Sequence, residues 1–109
     1  MNLVTFWQHL STVTVDSIYE TNHYRERISL RFGEEFAKEV YDFIFDCVPV
    51  AIIQQSEQKF KVSYQYDIDY DLTIICGIKE GNPLKLSLIS CYKVASKRRQ
   101  REDEQKQEQ

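Results

Sequence analysis

Apolar positions along the chain fall first on a helical period and then on a period of two. Leu3, Phe6, Trp7 and Leu10 recur at i, i+3, i+4 and i+7, which predicts a short helix over Leu3–Leu10 with these four on one face. Ser11–Ser17 is β-branched and alternating, and reads as either a short strand or an extended connector. From Asn22 to Gly33 the helical period returns. Tyr24, Ile28 and Phe32 form an apolar row, and His23, Arg27 and Arg31 form a second row beside it at i, i+4 and i+8. Asn22 suits the N-cap and Gly33 a left-handed stop. A further helix over Glu34–Cys47 puts Phe36, Val40, Phe43, Ile44 and Cys47 on one face. Glu34 and Glu35 complement its dipole, and Pro49 ends it. With Gly33 as hinge, the two helices form a corner.

Beyond Val50 the period is two. Val50–Gln54 is a first strand candidate. Lys59–Tyr70 then alternates, with Phe60, Val62, Tyr64, Tyr66, Ile68 and Tyr70 on one face and Lys59, Lys61, Ser63, Gln65, Asp67 and Asp69 on the other. Leu72–Ile78 follows a tight turn at Asp69–Asp71. Gly81-Asn82-Pro83 turns the chain again into Leu84–Lys93, with Leu84, Leu86 and Leu88 inward. The expected fold is α+β: N-terminal helices packed on an antiparallel three- or four-stranded β-meander, one domain over residues 1–94. Residues 95–109 form a charged tail, without an apolar residue from Lys97 on, expected as disordered or a frayed helix.

Of the 109 residues, 42% are hydrophobic and 13% aromatic, which suits a folded body rather than a disordered one. No apolar run is long enough to span a bilayer and no leader pattern opens the chain, so a cytoplasmic location is expected. The three cysteines, Cys47, Cys76 and Cys91, match neither a disulfide framework nor a zinc site and read as small buried hydrophobes. His9 has no second ligand near it, and Asp67, Asp69 and Asp71 lack the glycine and distal glutamate of a calcium loop. No metal and no cofactor is expected. A net charge of −3 argues against nonspecific coating of nucleic acid. It leaves room for a local site of opposite sign.

The run His23-Tyr24-Arg25-Glu26-Arg27-Ile28-Ser29-Leu30-Arg31 fits a pattern H-(small)-x-x-R-(apolar)-x-x-R ahead of a helix and a meander. It resembles the small His-x-x-x-Arg families grouped with the barnase, EndoU, colicin and RelE ribonuclease fold. Those families often end on a strand V-I-T-V-Y, where this chain has Leu88-Ile89-Ser90-Cys91-Tyr92. Tyr24 stands where the pattern has a small residue, and Arg31 is followed by Phe-Gly. The resemblance implies metal-independent RNA cleavage by a toxin or toxin-derived protein of a bacterial or phage mobile element, partnered by a cognate antitoxin. It casts His23 as acid or base and Arg27 and Arg31 as phosphate clamps, with Tyr92 or Lys93 completing the site and Ser90 as a hydrogen-bonding group. The acidic composition supports an alternative: a non-enzymatic binding protein, such as an immunity protein or a phage-type inhibitor of a nucleic-acid enzyme. The row Tyr64, Tyr66 and Tyr70 reads as a stacking platform or, in preference, as core packing.

Overall fold

The computed structural model describes residues 1–79, 81 and 84–97. Helix α1 covers Leu3–Thr12 and is capped by the Asn2 side chain, which accepts from Thr5 N at 2.8 Å. A single 3-10 turn at Val15–Ser17 follows, then strand β1 at Ile18–Glu20. The β-branched run therefore does not itself make the strand; it is shared between the end of α1 and the turn. Helix α2 spans Asn22–Arg31. Its cap is Thr21 rather than the expected Asn22: Thr21, extended, is the residue that carries β1 into the helix, and its Oγ1 accepts from Tyr24 N at 3.1 Å. Gly33 does stop the helix, at φ +86°, with its N–H donating to Ile28 O.

Helix α3 covers Glu35–Asp46 and buries Phe36, Val40 and Ile44. Cys47 falls outside it in extended conformation and is exposed, a correction to its reading as a buried hydrophobe; Cys76 and Cys91 are buried as expected. Strands β2 (Ala51–Ser56), β3 (Lys59–Gln65), β4 (Tyr70–Lys79) and β5 (Lys85–Ala95) form the antiparallel meander. The sheet has five strands rather than three or four, in the order β1-β5-β4-β3-β2. The additional member, β1, pairs parallel with β5, Ile18 opposite Leu86 and Glu20 opposite Leu88. Three residues are too few to show a period, which is why the strand is hidden in the sequence.

The alternating run over Lys59–Tyr70 is two strands, not one. Asp67 Oδ1 accepts from Asp69 N and Tyr70 N, both at 2.8 Å, and the chain reverses there. Ile68 is consequently 86% exposed and Tyr70 is exposed, whereas Phe60, Val62 and Tyr64 reach the core as expected. Ser96, past the end of β5, is buried, donating from N to Asp69 O and from Oγ to Asp71 Oδ1. The charged run from Arg98 onward lies outside the described residues.

All buried side chains of the three helices join one cluster with Phe60, Val62, Tyr64, Leu72, Ile74, Cys76, Ile78, Leu86, Leu88 and Cys91. These strand residues share one face of the sheet, so the fold is two layers: helices, then sheet. Phe6 stacks on Phe60 with ring centroids 3.9 Å apart. Leu3 and Trp7, expected on the buried side of α1, are exposed beside β2. In β5 a bulge leaves Ile89 unopposed: Ser90 pairs with Ile75, but Leu88 pairs with Cys76. The inward series therefore runs Leu86, Leu88, Cys91. That one-residue shift decides which face Ser90, Tyr92 and Lys93 take.

Candidate functional site

Strand β1 covers only the first part of β5's edge, and α2 continues along the remainder. Thr21 Oγ1 donates to Leu88 O at 2.9 Å at the start of the helix. Ten residues later, Arg31 Nη1 donates to Cys91 O at 3.5 Å. Tyr24 and Ile28, between them, are buried in the core. The His23, Arg27 and Arg31 row thus lies along the edge of β5. Arg27 Nε donates to His23 Nε2 at 3.4 Å, so this imidazole nitrogen acts as the acceptor. Arg25, about 200° around the helix from Arg27, faces away toward Glu20, 3.9 Å distant.

The predicted partners from β5 divide between two faces. Ser90 and Tyr92 lie opposite Ile75 and Thr73, on the face away from the helices. Lys93 lies opposite Leu72, on the helix-bearing face. Its Nζ sits 3.9 Å over the Tyr66 ring, 5.3 Å from Phe36 and 5.7 Å from Phe32. Ser90 and Tyr92 thus take one face of β5 and Lys93 the other, and Arg31 is the member of the α2 row that bonds β5, through Cys91 O. The rim is shallow. Four hollows on the described surface are lined by other side chains, and none includes His23, Arg27, Arg31, Ser90, Tyr92 or Lys93.

The rim borders a broader surface. Register places Tyr19, Ala51, Ile53, Lys59, Lys61, Ser63, Thr73, Ile75, Lys79, Lys85, Ser87 and Tyr92 together on the face that the helices leave uncovered. Its centre is small and tight: Ser63 and Thr73 hydroxyls are hydrogen bonded at 3.1 Å, and both are buried between longer neighbours. Its periphery is cationic. Lys59, Lys61, Lys79 and Lys85 stand on it, Arg27 and Arg31 flank it, and among the described residues that register places on it the carboxylate is the buried Asp71, whose Oδ1 accepts from Ser96. The opposite side is acidic: from Glu34 to Asp46 there are Glu34, Glu35, Glu39, Asp42 and Asp46 against Lys38 alone. A chain of net charge −3 thus carries a positive face.

Sequence reasoning singled out the rim and missed the face. The signal was present in the polar half of the alternation, where Lys59 and Lys61 precede Ser63. Its significance depended on no helix lying over that half. Among the described residues no cluster of three or more His, Cys, Asp or Glu side chains could hold a metal ion. No described helix is long and apolar enough to cross a membrane.

Residues 4–76, about two thirds of the chain, match the model of the MJ0788 family, and the chain belongs to that family. No curated protein and no solved structure matches it.

Proposed function

We propose that this member of the MJ0788 family binds RNA across the uncovered face of its sheet. The observation that supports this reading is the sorting of charge: four lysines on the open face and two arginines at its rim, in a molecule whose remaining surface is acidic. Lysines spaced along strands neutralise successive phosphates, and the Tyr19 and Tyr92 rings offer flat surfaces to bases. Helices on one side only leave the backbone of a single strand free to lie across the platform.

The rim supplies the elements of a cleavage step. His23 takes the proton of a ribose 2′-hydroxyl as its oxygen attacks phosphorus. The bond to the 5′-oxygen breaks, and the Tyr92 phenol gives that oxygen a proton, leaving a cyclic phosphate. Arg27 and Arg31 hold the phosphate while charge builds on it. In a toxin role, the cognate antitoxin would be an acidic chain that covers the same face.

The second reading rests on the other side of the molecule. The carboxylates of α3 form an uninterrupted acidic strip, which suits an inhibitor that occupies a basic protein.

One experiment separates these. End-labelled single-stranded RNA is titrated with the protein at low and moderate salt by fluorescence anisotropy, and the same mixtures are run on a denaturing gel. RNA binding weakened by Lys61→Glu supports the sheet-face reading. Cleavage that His23→Ala abolishes, with affinity retained, adds the catalytic step. RNA left both unbound and intact removes the RNA reading and leaves the acidic strip as the binding surface to pursue.

A further inference from the structure

Strand β2 closes one side of the sheet, and among the described residues no strand pairs with its outer edge. Free edges are templates for another strand, and proteins commonly guard them with lysine, proline or inward-pointing charge. Here Ala51–Ser56 reads A-I-I-Q-Q-S, without a charge or a proline. A bulge between Gln54 and Ser56 bends only the far end. At that end Gln54 Nε2 donates to Met1 O at 2.6 Å and the Met1 ammonium donates to Glu57 O at 3.1 Å, so the unguarded part of the edge is Ala51 to Ile53.

Beside it, on the helix-bearing side, lies an apolar hollow of about 380 Å³ lined by Leu3, Val4, Trp7, Pro49, Val50, Ala51 and Ile52. The patch continues past Trp7 to Phe45 and Val48. Leu3, Val4, Trp7, Phe45, Val48 and Val50 are all exposed, Val48 to 74% and Val4 to 67%, and contiguous apolar exposure of this kind marks an interaction surface.

The geometry points to a second copy of this chain as the occupant: two β2 edges pair antiparallel about a two-fold axis, joining the sheets into one of ten strands. Three features select a copy over an unrelated partner. A two-fold brings each patch against itself, which requires that no like charges meet; Leu3–Thr12 and Val48–Ser56 contain no Asp, Glu, Lys or Arg, and the charges that border them are Asp46 and the Met1 ammonium at Glu57 O. Antiparallel pairing centred on Ile52 puts Ile52 against its symmetry mate, beside the hollow that Leu3, Val4 and Trp7 line, so both hollows close together. The other edge is unavailable, because β1 is three residues long and α2 occupies β5 beyond it. This inference does not depend on the RNA reading, since the face with the lysines stays open in the dimer.

Sedimentation velocity of the full chain over a wide concentration range tests it. The expected result is a reversible dimer. Val4→Glu with Val50→Glu brings like charges to the axis and raises the dissociation constant at least about tenfold, while circular dichroism and the melting transition remain those of a folded protein. Lys61→Glu, on the open face, leaves the dimer unchanged. Should the double variant fail to fold, Val48→Glu, at the most exposed of the six positions, carries the same expectation. A chain that stays monomeric at the highest soluble concentration overturns the inference. So does a dimer indifferent to folded variants of the patch.

Discussion

The Lys93 ammonium lies 3.9 Å above the centre of the Tyr66 ring, on the opposite side of β5 from Tyr92, its neighbour in the chain. Phe32 and Phe36, stacked with centroids 4.3 Å apart, complete the aromatic surround. Lys93 is thus committed to holding α3 and the end of α2 against the hairpin at Tyr66. Lys93→Met keeps the aliphatic stem and removes the charge. It is expected to lower stability by about 0.5–1 kcal/mol in urea unfolding. RNA affinity should fall far less than with Lys61→Met, and the opposite order would place the nucleic acid on the helix side.

Thr21 ties α2 to the sheet at both ends of one hydroxyl, accepting from Tyr24 N at 3.1 Å and donating to Leu88 O at 2.9 Å. Thr21→Val preserves shape and β-branching but removes both bonds. A loss of about 1–2 kcal/mol is expected, from the helix cap and from one of the two bonds at Leu88 O, which keeps the Thr21 N–H at 3.1 Å. Because this joint positions His23 and Arg27 beside β5, hydrogen exchange at the Tyr24 amide should accelerate more than exchange in β3.

The thiols set an alkaline limit to stability. Burial pushes Cys76 from an ordinary 9.0 up to about 12. Burial likewise pushes Cys91 up to about 12, against the opposing pull of Arg31 and Lys93. An unfolded thiol loses its proton above about pH 9 while the folded one keeps it, so the native state binds more protons between those limits. Stability is therefore complete below pH 9 and falls as pH rises toward 12, by up to about 1.4 kcal/mol per pH unit for each thiol. Above pH 10 the buried Tyr24 and Tyr64 phenols, raised chiefly by burial, steepen the fall. Urea unfolding at intervals above pH 8.5 measures the slope, which Cys76→Ala should flatten by one proton. At neutral pH a thiol reagent should modify Cys47 rapidly and the other two only on unfolding.

How much of this was legible depended on which signals are local. The helical rows of Tyr24 and Ile28 and of Phe36, Val40 and Ile44 declare their own burial, and Gly33 its own left-handed turn. Strand β1 does not, because Ile18–Glu20 becomes a strand only through pairing with Leu86–Leu88, almost seventy residues away. The bulge at Ile89 is equally silent, yet it turns Cys91 and Lys93 toward the helices and Tyr92 toward the open face. The turn at Asp67 was readable, since an aspartate two residues before Asp69 is suited to bond the backbone ahead of it; the unbroken alternation through Tyr70 concealed it. For the site, the row of His23, Arg27 and Arg31 could be drawn on a helical wheel. The lysine face could not, because it needs three strands in register.

The position of charge, rather than its total, should govern RNA binding. Lys61 projects from β3 on the open face, and Glu39 stands exposed on α3 on the other side of the molecule. A chain carrying both Lys61→Glu and Glu39→Lys retains the net charge of −3, since one change removes two units and the other restores them. If the field of the whole molecule controlled affinity, this variant would bind as the parent does. If phosphates contact the sheet face, it loses the Lys61 contact and gains a repulsion there, with no return from a lysine beyond a screening length of about 10 Å at 0.1 M salt. The expected result is weaker binding, and a plot of log affinity against log salt whose slope is shallower by about 0.7 for the lost cation. Equal affinity and equal slope for parent and swap would remove the sheet face from consideration.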